Sequence, residues 1–227
     1  MASACGDGSG DGPVDVYAAA SLADVLPQID PDVRFSFAGS NELATQIREG
    51  APADVYAAAS SKYPQELYAE GLVEEPATFA SNRLVLIVPR ANPAAIESVE
   101  DLLQPAVRLV VAAQGVPVGD YTRAALETLG LSAALDNVVS NEDDVKSVAG
   151  KVALGEADAG FVYATDAAPL GDRVLTLELP DDAQPQIEYQ AAVVVGADDA
   201  DDARAFVERL GSAEGRAALE LAGFAVS

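Results

Sequence analysis

The sequence predicts an α/β fold, with helices layered on mainly parallel sheets, and three observations carry that reading. Short β-branched runs alternate with stretches of helical apolar spacing along the whole chain. Small, hydroxyl-bearing or glycine-rich turns stand directly after the strands, where open α/β sheets bind their ligands. The 227 residues, half of them hydrophobic, supply ample core for one large domain or two small ones.

In chain order, DVYAAA (15–20) reads as a strand, with Ser21 as N-cap and LADVLPQI (22–29) as a helix. VRFSFA (33–38) is the next strand, and NELATQIREG (41–50) is a helix stopped by Gly50. DVYAAA then recurs at 54–59, followed by the helix SKYPQELYAEG (61–71). RLVLIVP (83–89), VRLVVAA (107–113), AGFVYA (159–164) and IEYQAAVVV (187–195) are further strands. YTRAALETLGL (121–131) and EDDVKSVAGKVALGE (142–156) show helical spacing. The last segment, DDARAFVERLGSAEGRAALELAGF (201–224), reads as two helices parted near Gly211.

Composition removes several function classes. A net charge of −24 leaves no basic stripe to neutralise phosphates, so nucleic acid is not expected as a partner. With no histidine there is no imidazole base, no Ser-His-Asp triad and no His-based metal site. One cysteine cannot form an internal disulfide or a thiolate cluster, and no protein-bound metal or cofactor is expected. No apolar run approaches the roughly 18–20 residues that cross a bilayer.

Residues 1–13 read as a flexible Gly/Asp/Ser tether. Within it Cys5 is either a free terminal thiol or, because small residues precede it, a lipidation candidate resembling a bacterial lipoprotein start. The second reading expects a hydrophobic leader ahead of this sequence and a location outside the cytoplasmic membrane, tethered by lipid.

The turns after the strands point to anion chemistry. A helix N-terminus presents about four unpaired N–H groups and a partial positive charge. Several converging termini bind an oxyanion without lysine or arginine. Each turn also has a plain structural reading. Ser21 is an ordinary N-cap, and Ser40 with Asn41 and Glu42 is a helix start. GVPVGDY is a loop closing on a helix, and Tyr163 is a core aromatic. Their joint placement at strand ends favours a site.

Taken together, VYAAASLADVL, FSFAGSNELATQIREGAPADVYAAAS, GVPVGDYTRAALETLG, NEDDVKSVAGKVALGEADAGFVYATDA and GFAVS resemble the molybdate-binding proteins of bacterial ABC importers, from about residue 14 to the end. That resemblance implies a two-lobed type II periplasmic-binding-protein fold. Residues 14–88 and 196–227 would form lobe 1 and residues 89–195 lobe 2, with IVPRANP (87–93) and VVVGADD (193–199) crossing between them as a hinge. It implies a non-enzymatic, monomeric extracytoplasmic protein that delivers molybdate or tungstate to an ABC permease. The carried-over ligand positions are the hydroxyls of Ser21, Ser40 and Tyr163 and the backbone N–H groups of Val118 and Val145. At Gly39-Ser40-Asn41 this chain departs from the family's serine run. Ser60, ending the second DVYAAAS, has no ligand role in the family and is expected to be a structural N-cap.

Two alternatives stay open. Sulfate or phosphate on the same scaffold is one, with Asp143, Asp144 and Asp166 as acceptors for a protonated phosphate. The other is an enzyme with Ser21 as nucleophile, although no base, metal cluster or GxSxG elbow accompanies that serine.

Overall fold

In a computed structural model that describes residues 12–226, the chain builds two five-stranded sheets. The strands are β1 (Asp15–Ala19), β2 (Arg34–Ala38), β3 (Val55–Ala58), β4 (Ala77–Asn82) and β5 (Leu84–Pro89), then β6 (Leu109–Ala112), β7 (Val138–Glu142), β8 (Ala159–Tyr163), β9 (Val174–Glu178) and β10 (Ile187–Val193). The helices are α1 (Leu26–Ile29), α2 (Ser40–Arg48), α3 (Lys62–Ala69), α4 (Pro117–Thr128), α5 (Val145–Ala153), α6 (Ala164–Ala167), α7 (Ala200–Leu210) and α8 (Ala213–Leu221). Cys5 and most of the expected tether lie outside the described residues.

The first sheet has the order β2-β1-β3-β10-β4 and the second β7-β6-β8-β5-β9. Both are mixed, which corrects the expectation of mainly parallel sheets. In each sheet two neighbouring pairs run parallel and two run antiparallel. The antiparallel pairs all involve β5 or β10, the strands that follow a passage between the sheets.

Those passages fall elsewhere than the sequence suggested. Leu84–Pro89 belongs to the second sheet and Ile187–Val193 to the first. The chain therefore crosses at Arg83 and again between Glu178 and Ile187, so IVPRANP and VVVGADD are not the crossovers. An all-apolar strand looks alike in either sheet, which hides this assignment from a sequence reading. The two passages lie together: Leu84 N–H donates to Gln184 Oε1 at 3.0 Å, and Gln184 Nε2 returns a bond to Leu84 O at 2.9 Å. The C-terminal segment ties back to the first lobe through paired backbone bonds between Ser81 and Ala225.

Local rules explain the other departures. Residues 22–29 form no continuous helix; a 3-10 turn (Ala20–Leu22) precedes the short α1. Pro27 in the first turn of α1 lacks an N–H and clashes with a helical carbonyl four residues back, so a helix can start there but not run through. Ser21 sits inside the 3-10 turn and is not an N-cap. Ser60 is not one either, because Ser61 holds that position before α3.

Helices on both faces leave β3, β5, β6 and β8 fully buried. One hydrophobic core runs through both sheets, and a smaller one, with Tyr56 and Leu67, lies under α2 and α3.

Candidate functional site

Five sequence-predicted residues, Ser21, Ser40, Val118, Val145 and Tyr163, line one cavity between the lobes. Its volume is ≈ 20 Å³. Pockets for drug-sized ligands span roughly 300–1,000 Å³, so this one suits a small ion. All five residues are buried, which places the lobes in a closed arrangement.

Each donor is delivered by the end of a strand. β1 ends at Ala19 and turns at once into the 3-10 turn that carries Ser21. β2 ends at Ala38, and Gly39 leads into α2 at Ser40. A side chain at Gly39 would collide with the backbone carbonyl of Asp143, so the missing Cβ permits this approach of lobe 1 to lobe 2. Ser40 Oγ accepts from Ala59 N–H at 3.1 Å, which leaves the Ser40 proton free to donate.

In the second lobe, β6 leads to α4, where Val118 is the second residue and no side chain caps the helix. Its N–H is among the first-turn donors that a helix cannot satisfy internally. Gly119 is required one residue on, because a Cβ there would strike the carbonyls of Ala112 and Ala113. Val145 opens α5, whose N-cap is Asp144. The Asp144 carboxylate accepts from Ser147 N–H at 2.9 Å and Ser147 Oγ at 3.1 Å, leaving Val145 N–H uncapped by that side chain. β8 ends at Tyr163, whose buried hydroxyl has no partner among the described residues.

The electrostatics rest on neutral groups. No lysine or arginine lines the cavity. Burial pushes the phenol of Tyr163 well above its usual range, so it stays protonated and able to donate. Asp166, on α6, does not line the cavity. Burial raises its carboxyl to about 6, against the pull of Lys146 Nζ at 3.0 Å. Lys146 also reaches across to Asp24 of the first lobe at 2.6 Å. Further inter-lobe bonds join Asn82 Nδ2 to Thr165 Oγ1 at 2.8 Å and the Tyr63 hydroxyl to Gly115 O.

Of the three aspartates considered as acceptors, only Asp144 lines the cavity, and both of its oxygens are engaged by Ser147. Ser21 Oγ receives a bond from the Tyr189 hydroxyl at 3.0 Å rather than contacting any base. Among the described residues no group of three or more His, Cys, Asp or Glu could hold a metal ion. Likewise, no helix there is long and apolar enough to cross a membrane.

Residues 14–225 match the family model of the bacterial extracellular solute-binding proteins. The chain belongs to that family. This solute-binding protein is 37% identical over 220 residues to the molybdate-binding protein ModA of Mycobacterium tuberculosis strain H37Rv, covering 92% of this chain and 83% of that relative. To the molybdate-binding protein ModA of Haemophilus influenzae it is 34% identical over 230 residues, covering 93% and 89%. Among solved structures, the periplasmic molybdate-binding protein of Azotobacter vinelandii matches with a TM-score of 0.84 over 94% of this chain and 99% of that one. At 21% identity that likeness speaks for the two-lobed fold.

The sequence reading took Asp144 of this solute-binding protein as a phosphate acceptor and missed its N-cap role, and it missed Tyr189 altogether. Asp144 holds the start of α5, and the signal was present in its Asp-x-x-Ser spacing. Tyr189 touches Ser21 from 168 residues away, and no local pattern marks it.

Proposed function

We propose that the protein captures a tetrahedral oxyanion, molybdate or tungstate, in the inter-lobe cavity and delivers it to an ABC import permease outside the cytoplasmic membrane. The observation that carries this reading is the buried Tyr163 hydroxyl, unpartnered among the described residues on the wall of a small cavity. A native protein leaves a buried hydroxyl unpaired at a cost of about 1–3 kcal/mol, which an incoming acceptor relieves. The named activities of the ModA relatives support the choice of molybdate.

The donor set explains how an acidic protein binds an anion. Three hydroxyls and the first-turn N–H groups of α4 and α5 offer hydrogen bonds without a counter-cation. Their dipoles act within the closed cavity, while salt screens the repulsive field of distant carboxylates beyond roughly 10 Å. Ser21 and Ser40 belong to one lobe and Val118, Val145 and Tyr163 to the other, so the ligand itself draws the lobes shut.

In this reading the protein is a carrier that works without cofactor or turnover, with the Ser21 hydroxyl paired to the Tyr189 phenol. Anchoring through lipid at Cys5 and action as a monomer complete the reading. Mass spectrometry of the protein from a membrane fraction tests the anchor, and an unmodified Cys5 thiol overturns it. Monoprotonated phosphate is the alternative, although Asp144, the one carboxylate on the wall, already accepts from Ser147 through both oxygens.

Calorimetric titration with molybdate, tungstate, sulfate and phosphate in one buffer decides between them. Tight binding of the first two is expected. Tight sulfate or phosphate binding with no response to molybdate overturns the assignment. Tyr163→Phe is expected to weaken binding by about one to two orders of magnitude, as a hydrogen bond to a charged group is worth about 1.5–3 kcal/mol.

A further inference from the structure

We propose that Tyr189, which does not line the cavity, is a positioning residue of the oxyanion site, because its hydroxyl sets the direction in which Ser21 donates. This rests on the reading of the cavity as an oxyanion site.

Tyr189 lies on β10 and is fully buried. Its oxygen has two polar neighbours, Ser21 Oγ at 3.0 Å and Asn82 Nδ2 at 3.4 Å. The orientation of the Asn82 amide is fixed by its other bonds. Its Oδ1 accepts from Arg83 N–H at 2.9 Å, and its Nδ2 donates to Thr165 Oγ1 at 2.8 Å. The second Nδ2 proton therefore faces the phenol oxygen, though across a long bond. An amide nitrogen can only donate, so the phenol accepts from Asn82 and its own proton goes to Ser21 Oγ.

That commits Ser21. A hydroxyl carries one proton and two lone pairs, and the lone pair toward Tyr189 is occupied. The Ser21 proton must point away from the phenol, and the cavity wall is where Ser21 has further room. A donor already turned toward the ligand loses little rotational freedom on binding. The Tyr189 ring is itself held edge-on between Tyr163, at 5.9 Å between centroids, and Phe224, at 5.2 Å. Burial keeps the phenol protonated well above its usual range, so the direction of the bond does not reverse near neutrality.

A double-mutant cycle tests the assignment, read by calorimetric titration of sodium molybdate. The proteins are the parent, Tyr189→Phe, Ser21→Ala and the double variant. Tyr189→Phe is expected to weaken binding about threefold to tenfold, the range for loss of one neutral hydrogen bond. In the Ser21→Ala background the same change is expected to cost nothing further. A merely structural tyrosine would lower affinity equally in both backgrounds, and that result overturns the proposal. If Ser21→Ala weakens binding and Tyr189→Phe does not, the positioning role falls while the oxyanion site stands. If Ser21→Ala has no effect, the site reading fails and the proposal falls with it. Should Tyr189→Phe not fold, Asn82→Ala removes the donor that commits the phenol. A loss confined to the Ser21-containing background supports the proposal, and a loss that persists without Ser21 overturns it.

Discussion

The heptad DVYAAAS occurs at 15–21 and again at 54–60, and the fold lays the two copies side by side in parallel register. Val16 pairs with Val55, Tyr17 with Tyr56 and Ala18 with Ala57. Their roles nonetheless diverge at every polar position. Asp15 forms an exposed ion pair with Arg34, whereas the buried Asp54 carboxylate accepts from the backbone N–H groups of Asp15 at 2.8 Å and Asp198 at 3.0 Å. Tyr17 is half-buried, while Tyr56 is fully buried and donates to Ser40 O at 2.7 Å. Ser21 lines the cavity; Ser60 does not, and its buried hydroxyl has no partner among the described residues. Identical local sequence encodes the same strand, and the neighbouring strand decides the work. β1 sits between β2 and β3, whereas β3 packs against the antiparallel β10.

Four measurements break or sharpen that contrast. The largest effect is expected at the serines. Ser21→Ala should weaken molybdate binding by about one to two orders of magnitude, from a charged hydrogen bond of about 1.5–3 kcal/mol. Ser60→Ala should leave affinity unchanged, and calorimetry on the pair would exchange their roles if the order reversed. At the aspartates, Asp54→Asn retains one acceptor and loses the charge, so urea denaturation should show a loss of about 1.5–3 kcal/mol. Asp15→Asn should cost no more than about 1 kcal/mol, as exposed ion pairs do. Equal midpoint shifts would erase the distinction. The tyrosines come next: Tyr56→Phe should destabilise by about 1 kcal/mol, and Tyr17→Phe, with a partly solvated ring, by clearly less. The smallest effect concerns pH. Burial raises the phenols of Tyr163 and Tyr189 well above their usual values, so both remain donors as pH rises. Molybdate affinity should therefore stay flat from pH 7 to about 9.5; a fall in that window would mean that a site phenol ionises.

Much of the fold was legible. The central strands of both sheets announce themselves as unbroken apolar runs, such as LVLIVP in β5 and LVVA in β6, because helices cover both faces. The strands that escaped are β4, β7 and β9, and all three are sheet edges. Their sequences, ATFASN, VVSNE and VLTLE, alternate or mix polar residues because one side meets solvent, and their pairing comes from the neighbour. The starts of α4 and α5 were misplaced, at Tyr121 and Glu142 rather than Pro117 and Val145, although Pro117 and Asp144 carry the residue signals of an N-terminal turn.

By itself, the sequence determined the strand–helix alternation, the absence of imidazole, and the small, hydroxyl-bearing turns set at strand ends, while the five ligand positions were implied by the family resemblance. Those features depend on neighbours within a few residues. Tertiary structure alone decided which sheet receives β5 and β10, and that Ser60 stays out of the cavity its twin helps to line. It also placed Tyr189 against Ser21. Such facts depend on contacts between residues tens to more than a hundred positions apart, which the burial of apolar surface brings together without leaving a local mark.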